Sequence, residues 1–340
     1  MHMADALLSP VVGGTLWAAA AGAIALCSRR VEGDLNDRQV PFMGVLGAFV
    51  FAVQMINFTI PGTGSSGHLG GGMIFAVLLG PAAALITIAS VLTVQALFFA
   101  DGGLLALGCN IFNLGIIPCF IAYPLVFKRL AGSSPTQNRI IGASILSSVL
   151  ALQLGAFAVV LETFFSGISA LPFRSFALVM QPVHLPIGIV EGVVTAMVVS
   201  FVWKIQPESL TAFGHRQAAP IRTRILAGFL LISLVAGGGL SWMASTRPDG
   251  LEWSISQVTG SKEQTAPGTG VHAVLAGLQQ RSALLPGYAF RKEVGMQGAD
   301  AEGGELIDAG STVSAVAGGT ATLVIAFGVG LILRKRNGSI

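Results

Sequence analysis

Charge is scarce in this chain. Only 10% of its 340 residues are Asp, Glu, Lys or Arg, whereas 53% are hydrophobic, and the mean hydropathy is +0.76. A chain with so few charges cannot cover a water-facing surface with polar groups, which excludes an ordinary soluble globular protein. The sequence therefore predicts a protein embedded in a lipid bilayer. Its net charge of +3 is small, and no nucleic-acid partner is expected.

Three kinds of motif are also missing. There is no CxxC pair, so Cys27, Cys109 and Cys119, which stand singly in apolar stretches, are interpreted as small packing residues. There is no GxxxxGK[ST] phosphate loop, so the chain is not expected to hydrolyse ATP. There is no HExxH helix or comparable paired-carboxylate motif. This absence argues against an intramembrane metalloenzyme, which would need an open metal position and a general base beside it.

The chain has instead a series of apolar segments about 20 residues long, the length that crosses the hydrocarbon core as a helix. They fall near 9–28, 41–60, 104–127, 139–166, 183–205, 225–243 and 312–333. A longer stretch, 71–100, is interrupted by Gly80 and Pro81. The predicted fold class is an all-α polytopic membrane protein.

Basic residues predict the orientation, because cytoplasmic loops carry an excess of Lys and Arg. The basic clusters are Arg29 and Arg30, Lys128 to Arg139, Lys204, 215–224 and 334–336. All of them lie on the cytoplasmic side if the N-terminus is extracytoplasmic and 71–100 is split near Gly80. This count gives seven helices before residue 205, an extracytoplasmic N-terminus and a cytoplasmic C-terminus.

The split also predicts an unusual loop. The piece 71–80 is too short to start at the membrane surface, so the preceding loop PGTGSSGHLGGG is expected to dip inward. Irregular backbone at membrane depth is tolerated only where protein buries it or where it lines a cavity. The titratable residue of this loop, His68, is therefore a candidate functional residue.

We predict two modules. The first, 1–205, is a seven-helix bundle, and a polar cytoplasmic linker at 206–224 connects it to the second, 225–340. The second is a two-helix hairpin around an extracytoplasmic segment, 244–311. The carboxylates of this segment are interpreted as a solvated acidic surface; they are Asp249, Glu252, Asp300, Glu302, Glu305 and Asp308. His272, in the same segment, is interpreted as a surface residue. The first 28 residues do not fit a signal peptide, since Asp5 precedes the apolar run and an arginine pair follows it.

The first two residues suggest a metal site. The α-amine of Met1, the amide nitrogen of His2 and the His2 imidazole can form fused chelate rings around one ion. Because the amide must lose its proton, the ion should be Ni(II) or Cu(II), which accept tetragonal nitrogen coordination, and Co(II) in a planar site is conceivable. His68 would supply the fourth nitrogen of a square. On these residues alone, an incidental His2 and a merely hydrogen-bonded His68 remain the alternative.

Five further polar residues are interpreted as structural contacts or as support for this site. Asp5 is expected to accept hydrogen bonds that hold the N-terminal segment. Asn110 and Asn113 share one helix face, which favours hydrogen bonding between helices. His184 and Glu191 lie two turns apart on one face, about 10 Å along the helix, too far to share one ion.

Several motifs carry a family resemblance. They are MHMAD at the start, SGHLGGG around His68, DGGLLALGCNIFNLG at 101–115 and HLPIGIVEGVVT at 184–195. On these motifs, residues 1–205 resemble the CbiM/NikM family, the substrate-capturing S components of energy-coupling factor transporters for cobalt and nickel. RPDGLEWS at 247–254 and LPGYAF at 285–290 are similar to the PDGLE module, the CbiN/NikN partner that is sometimes fused to these proteins. One departure is Ala6, where the family usually has Gly.

The resemblance implies a seven-helix S component with its N-terminus threaded into the bundle and a square-planar site made by Met1, His2 and His68. It implies cobalt or nickel as transported substrate, with no catalytic cofactor, and the predicted nitrogen geometry favours Ni(II), with Co(II) as the alternative. It also implies a membrane T component and ATPase subunits as partners, at the cell inner membrane. A stand-alone metal carrier or channel is the rival, but conduction favours several weak sites over one tight chelate.

Overall fold

The structure is a computed structural model that describes residues 2–31, 39–207, 222–261, 264–290 and 309–335. Within these ranges the chain is mainly helical. Its strands are two short ones, β1 (Phe58–Thr59) and β2 (Ser66–Gly67), which pair antiparallel in the loop that carries His68. The all-α fold class predicted from the sequence is confirmed.

The first module consists of helices joined mostly by short loops. They are α1 (Pro10–Val31), α2 (Gln39–Gln54), α3 (Gly72–Leu79), α4 (Pro81–Phe98), α5 (Leu107–Ile111), α6 (Lys128–Ala131), α7 (Gln137–Ser166) and α8 (Phe173–Ile205). Between α5 and α6 the chain continues without a break as a π-type helix, Phe112–Phe127. A 3-10 turn, Asp5–Leu7, precedes α1.

The second module has two long apolar helices with short helices between them. Its helices are α9 (Thr223–Gly238), α10 (Gly250–Thr259), α11 (Gly270–Ser282) and α12 (Ala309–Lys335). Two 3-10 turns, Leu240–Met243 and Pro286–Tyr288, lie in the segment between α9 and α12. The helix α12 packs against α2 and α4 of the first module.

Six helical stretches of the described residues are long and apolar enough to cross a membrane. They are Pro10–Val31, Pro81–Phe98, Leu107–Ala131, Gln137–Ser166, Phe173–Ile205 and Ala309–Arg334. The helices α2 and α9 are apolar but shorter, with 16 residues each. The chain is thus a multi-pass membrane protein.

The predicted break in 71–100 is present. Gly80 has φ +75°, a conformation that favours glycine, and Pro81 occupies the first turn of α4, where its missing N–H costs nothing. Two other boundaries differ from the prediction by six residues or more. The helix α2 ends at Gln54 rather than 60, and α8 begins at Phe173 rather than 183 because Pro182 and Pro186 do not interrupt it. Prolines are tolerated inside membrane helices when neighbouring groups satisfy the freed carbonyls.

The π-type stretch contains Pro118 and Pro124. In an α-helix each proline would clash with the carbonyl four residues before it, and its missing N–H would break the hydrogen-bond pattern. A wider turn with bonds from i to i+5 relaxes this arrangement, and such turns recur at functional sites. The stretch packs against α3, whose first residue, Gly72, leaves no room for a Cβ beside the Leu114 carbonyl and Pro118.

Backbone hydrogen bonds join the two modules at one end of the bundle. Ser245 N donates to Asn57 O at 2.8 Å, and Leu284 N donates to Phe98 O at 2.9 Å. At the opposite end the two described ends of the linker meet, where Arg222 N donates to Gln206 Oε1 at 3.1 Å. The described parts of 240–290 therefore lie over the loop that carries His68 and over the end of α4.

Gly72→Ala is predicted to destabilise the fold by about 1–3 kcal/mol, because the new methyl group would overlap the Leu114 carbonyl and the Pro118 ring. Thermal unfolding in detergent measures the effect. The matched control is Gly142→Ala in α7, where nothing lies within 4 Å of the added carbon. Equal unfolding midpoints for the two variants would contradict the prediction.

Candidate metal site

The N-terminal segment lies inside the bundle. Met3 is fully buried, its N–H donates to Asn110 Oδ1 at 2.8 Å, and its carbonyl accepts from Gly103 N at 2.9 Å. Asp5 Oδ1 accepts from Ala106 N at 2.9 Å. The side chains of Asp5 and Asn110 thus hold the segment against the start of α5, and Met1 lies outside the described residues.

The glycines of the DGG motif make room for this segment. Gly102 has φ +80°, and a Cβ there would approach Asn110 Nδ2 at 2.8 Å and His2 Cβ at 3.3 Å. A Cβ at Gly103 would overlap the Asp5 carboxylate. Only glycine therefore allows the two stretches of backbone to pass so closely.

The structure brings His2 and His68 together. Their rings are stacked, with centroids 5.0 Å apart and an interplanar angle of 13°. The His2 side chain is 6% exposed, its Nδ1 lies 3.0 Å from Asp101 Oδ1, and its Nε2 is buried without a hydrogen-bond partner. Two imidazoles that are remote in sequence therefore share one small volume.

The environment of His68 suits a metal ligand. Its Nδ1 lies 3.1 Å from Leu69 O, and since a carbonyl only accepts, Nδ1 carries the proton and Nε2 presents its lone pair. Nε2 lies 3.8 Å from Asp249 Oδ2. A ring with one proton, on Nδ1, is neutral, the state that metal coordination requires.

The loop that carries His68 is anchored by Glu191. Gly70 N donates to Glu191 Oε2 at 2.9 Å, and Gly71 N donates to Oε1 at 3.1 Å. Gln54 Nε2 donates to Gly70 O at 2.8 Å, and Gln95 Nε2 donates to Gln54 Oε1 at 2.9 Å. Polar side chains from α2, α4 and α8 thus satisfy irregular backbone that would otherwise be costly at this depth.

The other predicted polar residues lie around the site rather than in it. His184 Nδ1 lies 2.8 Å from Met180 O, and its Nε2 is buried without a hydrogen-bond partner, against Gly250. Asn113 Nδ2 donates to Glu162 Oε2 at 3.0 Å and lies 4.0 Å from Met3 Sδ. The sequence reasoning missed Glu162, although an isolated carboxylate in an apolar helix was a usable signal.

Residues of the second module also reach the site. Asp249 caps α10, with Oδ1 accepting from Leu251 N at 2.9 Å and Glu252 N at 2.8 Å, while Oδ2 faces His68. The interpretation of this residue as part of a solvated acidic surface is therefore wrong. Asp300, Glu302, Glu305 and Asp308 lie outside the described residues.

The interpretation of His272 as a surface residue is also wrong. Its side chain is buried because α11 packs onto the N-terminal segment, where His272 Nε2 lies 2.8 Å from Leu8 O. A single histidine in a polar extracytoplasmic segment gave no sequence signal for this contact.

Asp101 is a further site residue that the sequence reasoning did not single out. Its Oδ1 faces His2, and its Oδ2 accepts from the hydroxyl of Tyr288 at 2.5 Å. Burial alone would raise the pKa of Asp101, but His2 and Tyr288 outweigh burial and hold the pKa well below its usual range. The carboxylate is thus charged and links the two modules.

A cavity of about 580 Å³ opens between the two modules beside His2 and His68. Four carboxylates line it, those of Asp5, Asp101, Asp249 and Glu252. Acidic walls around a cavity raise the local concentration of cations. Within the described ranges, no three His, Cys, Asp or Glu side chains form a group that could hold a metal ion. The square-planar metal site predicted from the sequence needs only two imidazole ligands, since an amine nitrogen and an amide nitrogen supply the other two.

The fold and the site together define a class: a polytopic α-helical membrane protein that threads its own N-terminal segment into its bundle, beneath a second, covering module. The family model for CbiM, described as the cobalt uptake substrate-specific transmembrane region, matches residues 2–209. This match spans more than half of the chain, which therefore belongs to the CbiM family. The PDGLE domain model matches residues 223–335.

Individual relatives match either most of the chain or about two thirds of it. The chain is 32% identical over 312 residues to the fused nickel transport protein NikMN of Rhodobacter capsulatus, covering 85% of this chain and 88% of the relative. It is 32% identical over 227 residues to the cobalt transport protein CbiM of Sorangium cellulosum, covering 65% and 99%. A crystal structure of a transition metal transporter matches with a TM-score of 0.54 at 29% identity, covering 64% and 99%.

Glu191→Gln is predicted to loosen the His68 loop, because an amide offers one acceptor where the carboxylate offers two, and one backbone N–H then loses its partner. The expected cost is about 1–3 kcal/mol, measured by thermal unfolding in detergent. The control is Glu162→Gln, whose amide oxygen can still accept from Asn113. The loss of thermal stability should therefore be smaller in this variant. A larger loss in the control variant would refute this account.

Proposed function

We propose that this chain is the substrate-capturing membrane subunit of an ATP-driven energy-coupling factor importer for a transition-metal ion. The ion, most favourably Ni(II), is held in a square of nitrogens from the Met1 amine, the His2 amide and imidazole, and the His68 imidazole. The observation that carries the proposal is the close approach of His2 and His68 beside the buried N-terminal segment.

The separation of the two rings supports this square. A metal-to-nitrogen distance near 2.0 Å puts an imidazole centroid roughly 3.2 Å from the ion, so rings at adjacent corners have centroids about 4.5 Å apart. Rings at opposite corners would be about 6.4 Å apart. The measured 5.0 Å is nearer the adjacent arrangement. That is the arrangement expected here. The amine takes the corner opposite the His2 imidazole, so His68 takes the corner opposite the amide, next to the His2 imidazole.

The electrostatics support a divalent ion. A deprotonated amide and neutral imidazoles leave one positive charge on the complex, and the Asp101 carboxylate lies close enough to balance it. Tetragonal nitrogen coordination favours Ni(II) over tetrahedral Zn(II). Co(II) remains the alternative substrate, since the matched family is described by cobalt uptake while the fused relative is named for nickel.

Energy for uptake must come from partners. The chain has no phosphate loop, which supports a membrane T component and separate ATPase subunits. The transport names of the relatives and of the structural neighbour favour a transport subunit over an enzyme. Metal uptake that persists after loss of co-expressed ATPase subunits would favour the stand-alone carrier.

The site is proposed to face the outside of the cell inner membrane. The basic residues of the described helix ends support this orientation, since Arg29, Arg30, Lys128, Arg129 and Lys204 lie at ends opposite the metal site. The proposed division is a membrane domain at 1–205, a cytoplasmic linker at 206–224 and a PDGLE-like module at 225–340. The linker residues 208–221 lie outside the described ranges.

Adding one residue before Met1 is predicted to abolish nickel binding, because the α-amine then moves out of the chelate. Metal content and visible absorption of the detergent-purified protein measure this, with one nickel per chain and a weak yellow d–d band expected only for the native N-terminus. The matched control adds one residue after Ile340. Equal nickel content in the native and N-terminally extended proteins would refute the chelate.

Deleting 225–340 is predicted to lower nickel uptake by cells that express the partner subunits. The reason is that α10, α11 and Tyr288 contact the loop, the N-terminal segment and Asp101. Uptake of radioactive nickel, normalised to the amount of protein in the membrane, measures the effect. Unchanged uptake by the truncated chain would refute a role for the second module.

A further inference from the structure

One carboxylate connects the His2 imidazole to the second module. Asp101 Oδ1 accepts from His2 Nδ1–H at 3.0 Å, and Asp101 Oδ2 accepts from Tyr288 O–H at 2.5 Å. The Asp101 side chain is 24% exposed, so most of it is enclosed by protein. His2 and Tyr288 are therefore held by opposite oxygens of the same group.

The nitrogen that Asp101 holds is the one that a chelate needs. Nδ1 closes a six-membered ring with the amide nitrogen of the same residue, whereas Nε2 points away from that amide and cannot reach the same ion. On coordination the Nδ1–H bond breaks and a metal–nitrogen bond forms, and a neutral ring then carries its proton on Nε2. The ion and Asp101 therefore compete for Nδ1, and loading must break the bond between His2 and Asp101.

The backbone around this carboxylate is strained. Among the described residues, the non-glycine residues with positive φ are Ala100, at +52°, and Tyr288, at +64°. One immediately precedes Asp101, and the other donates to it. Strained backbone persists where surrounding structure imposes it, and it concentrates at functional sites.

The surroundings of Tyr288 hold its hydroxyl in place. Gly287 N donates to Phe99 O at 2.8 Å, and Leu285 N donates to Phe98 O at 3.2 Å. The Tyr288 ring stacks on Phe99, with centroids 5.0 Å apart and planes at 21°. The hydroxyl is thus fixed to the end of α4 independently of His2.

We propose that Tyr288 is a positioning residue for metal loading, which keeps Asp101 hydrogen-bonded after His2 has left it for the ion. Without the hydroxyl, the empty state still pairs Asp101 with His2, but the loaded state leaves the carboxylate without either partner. A carboxylate that is mostly enclosed by protein and has lost both partners is costly, so the hydroxyl favours the loaded state. This inference rests on the proposed chelate, and it assigns the second module a specific part in capture.

Tyr288→Phe in the full-length protein with its native N-terminus tests the proposal, because it removes only the hydroxyl and keeps the stacked ring. Competition of Ni(II) against a chelator of known affinity should give binding about five- to tenfold weaker than in the wild type. This factor is at the lower end of the cost expected for an unpaired acceptor, because solvent reaches Asp101. The d–d absorption should stay unchanged, since the four nitrogens are intact.

Two controls show whether the effect passes through Asp101. Tyr123→Phe deletes the chain's other tyrosine hydroxyl, from a ring stacked on Phe127, and should leave the affinity within twofold of the wild type. In an Asp101→Asn background, Tyr288→Phe should change the affinity less than twofold.

Three results would overturn the proposal. They are a Tyr288→Phe affinity within twofold of the wild type, the same loss in the Asp101→Asn background, and an altered d–d band, which would mean that the ligands themselves have moved. A wild-type protein that binds no nickel would overturn the proposed function, and this inference with it. Normal wild-type binding with an unaffected Tyr288→Phe variant would overturn this inference alone.

Discussion

The site depends on the burial of the N-terminal segment, and that burial depends on backbone hydrogen bonds. An extended segment inside a membrane bundle exposes N–H and C=O groups where no water can satisfy them, and each unsatisfied group is costly. Here Met3 is paired by Gly103 and Asn110, and Leu8 by His272. These partners come from the start of α5 and from the second module. Without them neither His2 nor the cavity beside it would have a defined position.

The sequence predicted the parts of the fold that follow from local chemistry. Apolar length predicted most of the long helices, Gly80 and Pro81 predicted the break, and the glycine-rich loop directed attention to His68. The start of α8 could not be predicted in this way, because Pro182 and Pro186 normally end a helix and only membrane packing tolerates them. The contacts of Asp101, Glu162, His272 and Tyr288 were also beyond reach, since each partner is distant in sequence and its choice depends on how the two modules pack.

Two kinds of contact join the modules, and they serve different ends. Within the apolar layer, α12 packs against α2 through small residues, and Gly318 lies so close to the Phe51 ring that no side chain would fit. Such close packing favours association of helices in lipid, where the hydrophobic effect does not drive them together. At the polar end the contacts are directional, from Ser66 to Pro248 and from Tyr288 to Asp101. The first kind holds the second module in place, and the second kind fixes its side chains beside the site.

The carboxylate of Glu191 sits at the N-terminal end of α3, where it accepts from Gly70 and Gly71. The positive end of the helix dipole favours a negative charge there. Separating α8 from α3 would leave that charge without donors in a lipid environment, which is far more costly than moving the two helices together. A motion that keeps these two hydrogen bonds must therefore carry α8, α3 and the His68 loop as one rigid body. The N-terminal segment is held at Met3 by Asn110 and Gly103, neither of which belongs to this body, so it is the part that can shift relative to it.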